Sequence, residues 1–318
     1  IAIIGGGVTG LAAAYELVQA GQHPTLIEAQ PQLGGVVQTE IVEGCVLEGG
    51  PDSFLSAKPA ANELITEPGL GDQLIGSNDH SRVTYLLKNG RLTPLPDGLL
   101  MMVPTKIMPV ALSPLLGWGT KIRMGLEYFR KPPAAPLPDR SVAAFIEDHY
   151  GRETVDYLAE PLLSGVYGGS VDRLSVKSVL ARFVEIENRY GSLTRGVLEA
   201  KKRAPKRASG PPLFQTMKGG LGQLTAELEK RIRPHSDIIT GRAEHVERVE
   251  GGYSIRVNGE ALLADRLIFG CPAWQAGELL RPVHEELAGL LEGVDYSSSV
   301  TLALGYRRES CGPVPPTT

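Results

Sequence analysis

The chain has 318 residues, of which 42% are hydrophobic and 21% are charged, and its formal net charge is −4. A chain of this length can bury large cores, and two domains are the default expectation. The acidic balance argues against a nucleic-acid-binding protein. Three widely spaced cysteines, Cys45, Cys271 and Cys311, match no zinc or disulfide pattern, which favours a reducing compartment and predicts no metal site.

The chain opens with an apolar segment, Ile1–Ile4, which predicts a buried parallel strand. Glycines at positions 5, 7 and 10 follow with the G-x-G-x-x-G spacing of dinucleotide-binding turns, and Leu11–Ala20 is predicted to be a helix. The free N–H groups at the start of such a helix attract a diphosphate. The predicted cofactor contacts of this turn are Gly5, Gly6, Gly7, Val8, Thr9 and Gly10.

A second predicted strand, Pro24–Glu28, ends in an acidic residue. Glu28 follows Gly10 by 18 residues, close to the roughly 20 that separate this motif from a ribose-binding carboxylate. Strand, glycine turn, helix, strand and acid therefore occur in the order of a doubly wound α/β fold. The sequence predicts a Rossmann-like, dinucleotide-binding domain in which Glu28 and Ala29 contact the ligand.

Two more glycine-containing turns follow within the first sixty residues. Gly34, Gly35 and Val36 are predicted to approach the same ligand through backbone alone, with a plain turn as the alternative. The segment Ile41–Leu47 is predicted to be a strand. The turn after it, formed by Gly50, Pro51, Asp52, Ser53 and Phe54, should expose its backbone to a ligand.

Together these segments resemble the large flavoprotein family that includes amine oxidases, phytoene desaturases and protoporphyrinogen oxidases. Gly50–Phe54 and a later run, Ser164–Gly168, resemble the protoporphyrinogen oxidases in particular, although Gly169–Val171 departs from the Gly-Asp-Pro often found there. The resemblance implies FAD rather than NAD. It also implies that Gly34 and Gly35 lie along the FAD phosphates and that the turn at 50–53 lies against the flavin.

The resemblance implies three further contacts. The backbone near Gly165 would face the porphyrinogen ring, and the backbone of Val246, on a strand at 243–249, would bind the adenine. Arg82 precedes an apolar strand, where the resemblance implies that it holds a substrate carboxylate. A surface arginine beside a sheet is the alternative for Arg82.

The segment 98–129 contains four of the five methionines and is interrupted by prolines at positions 104, 109 and 114. Lys106, Lys121 and Arg123 flank its apolar stretches. Two interpretations fit: a helical subdomain packed on the core, or a monotopic surface that enters one membrane leaflet. The resemblance favours the membrane surface.

The sequence predicts three interleaved domains. Residues 1–59 and 213–273 would form the FAD-binding domain, and 60–95, 181–212 and 274–318 a substrate domain with an antiparallel sheet. Residues 96–180 would form a helical, membrane-facing domain. The chain ends soon after a predicted strand, Ser299–Tyr306, and lacks the last glycine-rich segment of the family, so we expect a C-terminally truncated sequence.

The resemblance implies FAD-dependent oxidation of protoporphyrinogen IX to protoporphyrin IX in haem synthesis, with oxygen as the electron acceptor. The flavin performs the chemistry, so no catalytic side chain is predicted. The expected location is cytoplasmic, on the inner face of the cell membrane. A homodimer is compatible with the sequence. Coproporphyrinogen III as substrate, another amine or polyene oxidase, and a flavin-free prenyl-carrier escort protein are the alternatives.

Overall fold

The computed structural model describes residues 1–78, 83–203 and 212–310, which form two compact units. The first unit comprises the described residues of 1–79 and 211–315, and the second comprises those of 80–210. The chain therefore leaves the first unit once and returns to it.

The strands of the described residues are β1 (Ala2–Ile4), β2 (Thr25–Glu28), β3 (Thr39–Val42), β4 (Cys45–Glu48), β5 (Phe54–Leu55), β6 (Leu74–Gly76), β7 (Tyr85–Lys88), β8 (Arg91–Pro94), β9 (Leu99–Leu100), β10 (Val103–Pro104), β11 (Phe214–Met217), β12 (Asp237–Thr240), β13 (Ala243–Val249), β14 (Gly252–Val257), β15 (Glu260–Ala264) and β16 (Leu267–Phe269). The α-helices are α1 (Val8–Gln19), α2 (Pro59–Thr66), α3 (Ile107–Leu112), α4 (Trp118–Glu127), α5 (Val142–Tyr150), α6 (Arg152–Thr154), α7 (Glu160–Tyr167), α8 (Val176–Val179), α9 (Ala181–Tyr190), α10 (Leu193–Arg203), α11 (Gly222–Ile232), α12 (Ala273–Leu280) and α13 (Glu285–Glu292).

The first unit is built on a parallel sheet with the strand order β12-β2-β1-β16. Both faces of β1 are buried, because Ile3 packs among residues of α1 and α11 while Ala2 and Ile4 pack against β13, β14 and α12. A parallel sheet covered on both faces is the arrangement that α/β proteins share. The predicted α/β fold is confirmed.

The remaining sheets of the first unit are antiparallel. β13, β14 and β15 form one, and β5, β11 and β6 form another that joins residues from both parts of the chain. The single strand predicted at Ile41–Leu47 is instead the hairpin β3–β4, which turns at Glu43 and Gly44, both with positive φ. Glycine tolerates this backbone conformation, which allows the chain to reverse there.

No strand forms at residues 299–306, where the alternating apolar pattern predicts one. Val300 is 93% exposed and Leu302 is 75% exposed. None of the described strands pairs with this segment. Since a strand requires a neighbour for its backbone hydrogen bonds, the pattern alone does not produce one here.

The second unit is mostly helical around one hydrophobic core. Helix α5 lies at its centre, and Phe145, Ile146 and Tyr150 are completely buried. Helices α6 and α7 are joined by a π-helical turn at Val155–Ala159. Among the described helices, none has the length and apolar character required to cross a bilayer.

A buried ion-pair network connects four helices of the second unit. The side chain of His149 on α5 is fully buried, and its two ring nitrogens face two carboxylates. Nδ1 lies 2.9 Å from Glu127 on α4, and Nε2 lies 3.1 Å from Glu187 on α9. Glu127 also accepts a 2.6 Å hydrogen bond from the N–H of Leu193 at the start of α10, and Arg140 lies 2.7 Å from Glu187.

Asp148, His149 and Glu187 bring potential metal ligands within 4.8 Å of one another. The same carboxylates are already paired with arginines, since Asp148 binds Arg130 and Glu187 binds Arg140. A guanidinium in this position repels a cation. We therefore interpret the cluster as a structural ion-pair network.

This network predicts a stability that depends on pH. Burial raises the pKa of Glu127, but hydrogen bonds from His149 and Thr194 outweigh it and hold the pKa below its ordinary value of 4.5. The pKa of Glu187 is lowered in the same way, by His149 and Arg140 against burial. Folded pKa values below the unfolded ones contribute stability above pH 4.5 that is lost as the pH falls through the folded values. Urea unfolding followed by circular dichroism should show this loss.

The variant Glu127→Gln tests the assignment, because it leaves His149 with one carboxylate fewer. We expect its free energy of unfolding at pH 7 to fall by about 3 kcal/mol and to depend less on pH in the acid range. Glu185→Gln is the control, since Glu185 is exposed on α9 outside the network and its replacement should change neither value. An unaltered acid dependence in Glu127→Gln would contradict the assignment.

Candidate functional site

A cavity of about 1020 Å³ lies at the carboxyl ends of β1, β2 and β16 in the first unit. Ligands of open α/β sheets bind at this edge. The described residues that line the cavity are Ile4, Gly5, Gly7, Val8, Thr9, Ile27, Glu28, Ala29, Gln30, Gly34, Gly35, Val36, Gly241, Arg242, Ala243, Glu244, Gly270, Cys271, Pro272, Gln275, Glu278 and Leu279.

Two glycine turns meet at the floor of this cavity. The N–H of Gly34 donates a 2.8 Å hydrogen bond to the carbonyl of Gly6, and Gly7 and Gly34 form an isolated parallel bridge. A Cβ on Gly35 would lie 3.0 Å from the Cα of Gly7. At Gly7, Gly34 and Gly35 the two turns therefore present backbone alone to a ligand.

Gly10 fixes the position of α1 beneath the first turn. A Cβ at Gly10 would lie 1.8 Å from the carbonyl oxygen of Gly5, which no side chain can tolerate. Gly5 itself has a φ of +107°, a conformation that favours glycine. The tight turn and the close packing of helix on strand are the arrangement that the sequence predicts for these two glycines.

Helix α1 begins at the cavity with Gly7 as its N-cap, and no side chain caps this end. The N–H groups of the first turn are thus available to a ligand, and the helix dipole adds partial positive charge. An anionic group such as a diphosphate is the ligand that such an end accepts.

Glu28, at the end of β2, is held against the glycine turn. Its carboxylate accepts hydrogen bonds from the N–H of Gly6 at 2.6 Å and from the N–H of Gln30 at 2.7 Å. Each carboxylate oxygen can accept further hydrogen bonds. The side chain is therefore oriented into the cavity as an acceptor for hydroxyl groups such as those of a ribose.

The end of β16 forms another wall of the cavity. Gly270 follows this strand, and its N–H donates a 2.8 Å hydrogen bond to the carbonyl of Ile4. Burial, followed by the nearby Glu28 carboxylate, raises the pKa of the Cys271 thiol. The Cys271 thiol in this wall is therefore uncharged at neutral pH.

The structure brings most of the sequence-predicted cofactor contacts to one place. Gly5, Gly7, Val8, Thr9, Glu28, Ala29, Gly34, Gly35 and Val36 line the cavity. Gly6 and Gly10 lie behind it and support the turn. Gly50 lies against the carbonyl of Val36, where a Cβ would be 1.9 Å from the oxygen, but Gly50, Pro51, Asp52 and Ser53 do not line the cavity.

Val246, whose backbone is the predicted adenine contact, is not among the described residues that line the cavity. It lies within β13 with an exposed fraction of 0% and packs against Ile255 in the core. Ala243 and Glu244, at the start of the same strand, line the cavity instead, beside a register shift between Ala243 and His245. Bulges of this kind change the direction in which side chains point beside binding sites.

The two predicted substrate contacts are not among the described residues that line this cavity. Gly165 lies on α7 in the second unit, and Arg82 lies outside the described residues. Sequence reasoning also missed the lining residues Arg242, Gln275 and Glu278. The glycines at positions 241 and 270, each directly after a strand of the parallel sheet, were the signal that could have located this wall.

These features define a dinucleotide-binding α/β domain. The sequence profile of a family described as "flavin containing amine oxidoreductase" matches residues 8–313. The chain belongs to this family, and the predicted flavoprotein resemblance and flavin cofactor are confirmed.

Several relatives show what the chain is similar to. It is 34% identical to coproporphyrinogen III oxidase of Bacillus subtilis over 96% of this chain and 66% of that protein. It is 28% identical to chloroplastic protoporphyrinogen oxidase 1 of Arabidopsis thaliana over 97% of this chain and 59% of that protein. The chain thus spans three-fifths to two-thirds of the length of these relatives.

Solved structures agree on the fold. A candidate protoporphyrinogen oxidase from Exiguobacterium sp. 255-15 superposes with a TM-score of 0.78 at 31% identity, over 90% of this chain and 62% of that chain. Putrescine oxidase superposes with a TM-score of 0.63 at 19% identity, over 92% of this chain and 62% of that chain, and this likeness concerns the fold alone.

The described residues fit FAD. The two bare glycine turns and the uncapped start of α1 suit a diphosphate, Glu28 suits a ribose, and a cavity of about 1020 Å³ can accept a dinucleotide-sized ligand.

Replacing Glu28 should weaken FAD binding. We expect Glu28→Gln to lower the affinity of the protein for FAD by about 10-fold or more, because a charged acceptor is lost. Quenching of flavin fluorescence on titration measures the affinity. Glu16→Gln, on the exposed side of α1, is the matched control and should bind FAD like the unaltered protein. Equal affinities of Glu28→Gln and Glu16→Gln would exclude Glu28 from the site.

Proposed function

We propose that the protein oxidises a porphyrinogen to a porphyrin with FAD. The similarity to B. subtilis coproporphyrinogen III oxidase over 96% of this chain carries the proposal. When bound, the flavin supplies a hydride acceptor. The names of the relatives as oxidases support oxygen as the final electron acceptor. A homodimer and a cytoplasmic location remain predictions.

In this proposal the chain's own residues bind the cofactor and orient the substrate. The turn at 5–10 and the start of α1 hold the diphosphate, Glu28 holds a ribose, and Gly34–Val36 closes the floor of the cavity.

We propose that Gly165 leaves room for the flat macrocycle: it is exposed on α7, and a Cβ there would meet no described atom within 4 Å. Packing within the described structure therefore does not require this glycine. Arg82 is proposed to bind a substrate carboxylate.

Two substrates remain in competition. Protoporphyrinogen IX is the substrate that the sequence motifs favour, and the Exiguobacterium structure carries the corresponding name. Coproporphyrinogen III is favoured by the relatives, since the proteins from B. subtilis and Propionibacterium freudenreichii, at 34% and 31% identity, are both named for it.

A fluorescence assay tests the proposal directly. Porphyrins fluoresce and porphyrinogens do not, so the full-length protein supplied with FAD should produce fluorescence from at least one of the two porphyrinogens in air. The ratio of kcat/KM for the two substrates then decides between them. Turnover of amines or polyenes, with both porphyrinogens left unoxidised, would contradict the proposal.

We also propose that the second unit binds a membrane surface. Helix α4 exposes Trp118, Ile122 and Leu126, which are 70%, 61% and 65% exposed. Their spacing of four residues places them on one helix face, and Phe129, 74% exposed, continues it. An apolar face of this kind supports insertion into one leaflet.

The basic residues of this segment contribute differently from what the sequence suggests. Lys106 pairs with Asp97 at 2.5 Å, and Lys121 donates 2.8 Å hydrogen bonds to the carbonyls of Ala111 and Ser113. Arg123 donates to the carbonyl of Glu147. Because these side chains already have protein partners, the proposal rests on the apolar face of α4.

The double variant Ile122→Glu/Leu126→Glu should reduce sedimentation with phospholipid vesicles. We expect the vesicle affinity to fall by about 10-fold or more, since two apolar side chains no longer enter the leaflet. Leu263→Glu/Leu290→Glu is the matched control, because both leucines are about as exposed, at 72% and 70%, but lie in the first unit. Equal losses in the two double variants would refute a specific membrane face.

A further inference from the structure

A charged pair lies at the rim of the cofactor cavity. Arg242 follows β12, and Glu278 lies on α12, the helix that follows β16. Their Nη2 and Oε2 atoms are 3.9 Å apart, and the two side chains are 69% and 58% exposed. Since β12 and β16 are the two outer strands of the parallel sheet, the pair joins the two elements that leave its opposite edges.

The cavity has an unusual balance of charge for a ligand that carries a diphosphate. Among the described lining residues, Glu28, Glu244 and Glu278 are acidic, and Arg242 is the single lysine or arginine. An exposed ion pair at this distance contributes little to stability. Structural support for the fold is therefore a weak explanation for the arginine.

The strand order indicates which part of the ligand Arg242 meets. The glycine turn that would hold the diphosphate follows β1, Glu28 follows β2, and Arg242 follows β12, the next strand outward. The N–H of Gly241 donates a 2.8 Å hydrogen bond to the carbonyl of Glu28, so the turn lies directly beside the ribose position. The turn that carries Arg242 therefore lies two strands away from the first glycine turn, on the side of Glu28. In an adenine dinucleotide, the base lies beyond the ribose.

We propose that Arg242 covers the adenine ring of the bound cofactor, with its planar guanidinium stacked on the base, and that Glu278 holds the guanidinium in place. A guanidinium stacks on aromatic faces in a way that an ammonium group does not. Glu278 is then a positioning residue. This inference rests on the FAD site of the proposed function and adds the group that recognises the base.

Affinities for FAD and for ADP, measured by calorimetry with the full-length protein, test the inference. Arg242→Ala should weaken both by the same factor of about 10, because the two ligands share the adenosine. Arg242→Lys should lose nearly as much affinity, because the ammonium group of lysine carries the same charge but has no planar face to stack on the base. Arg248→Ala, exposed on β13 and absent from the cavity lining, is the matched control and should bind both ligands normally.

Glu278→Gln should lose about 3-fold in affinity at low salt, and this loss should vanish at high salt, where the ion pair is screened. An unchanged affinity in Arg242→Ala, a loss for FAD alone, or full recovery in Arg242→Lys would each overturn the inference. Recovery would show attraction to phosphate instead of stacking. An unaltered protein that binds ADP but not FAD would contradict the proposed function while leaving the ADP comparison valid.

Discussion

The contact between Gly10 and the carbonyl oxygen of Gly5 is the constraint on which the cofactor site depends. Because nothing larger than hydrogen fits between them, α1 packs directly on the end of β1 and its first turn points into the cavity. In the same turn, the N–H of Gly6 donates a hydrogen bond to the carboxylate of Glu28, and the carbonyl of Gly6 accepts one from the N–H of Gly34. Strand, helix start, ribose acid and second glycine turn are thus parts of one hydrogen-bonded arrangement.

The second unit is organised by a different principle. Its core is apolar, but Glu127, His149 and Glu187 place three ionisable groups inside it. Such groups are stable only when each is paired, and here each carboxylate has more than one donor. Glu127 connects the end of α4 to the start of α10, so the helix with the exposed apolar face is held to the body by polar contacts at its inner end.

Local patterns predicted well which residues come together at the cavity where backbone geometry alone decides it. Gly5, Gly10, Gly34 and Glu28 could be assigned from spacing, because a turn without side chains and an acid after a strand have few alternatives. Which residues at the start of β13 line the cavity could not be predicted, since this depends on a register shift between Ala243 and His245 that no local pattern reveals.

Long-range pairing explains the remaining differences. The hairpin β3–β4 and the unpaired segment 299–306 both carry apolar residues typical of strands, yet their structure depends on which neighbour is present. Arg242 and Glu278 are 36 residues apart and meet only because α12 packs beside β13, so their proximity is invisible in the sequence.

The pairing of β1 with both β2 and β16 has a consequence for folding during synthesis. Ala2 faces Thr25 on one side and Leu267 on the other, so the first strand gains one neighbour early and the second only near residue 267. At about 5–20 residues per second, the ribosome needs roughly 10–50 s to supply it. During that interval one edge of an apolar strand has no partner, and the nucleotide cavity lacks the wall that follows β16.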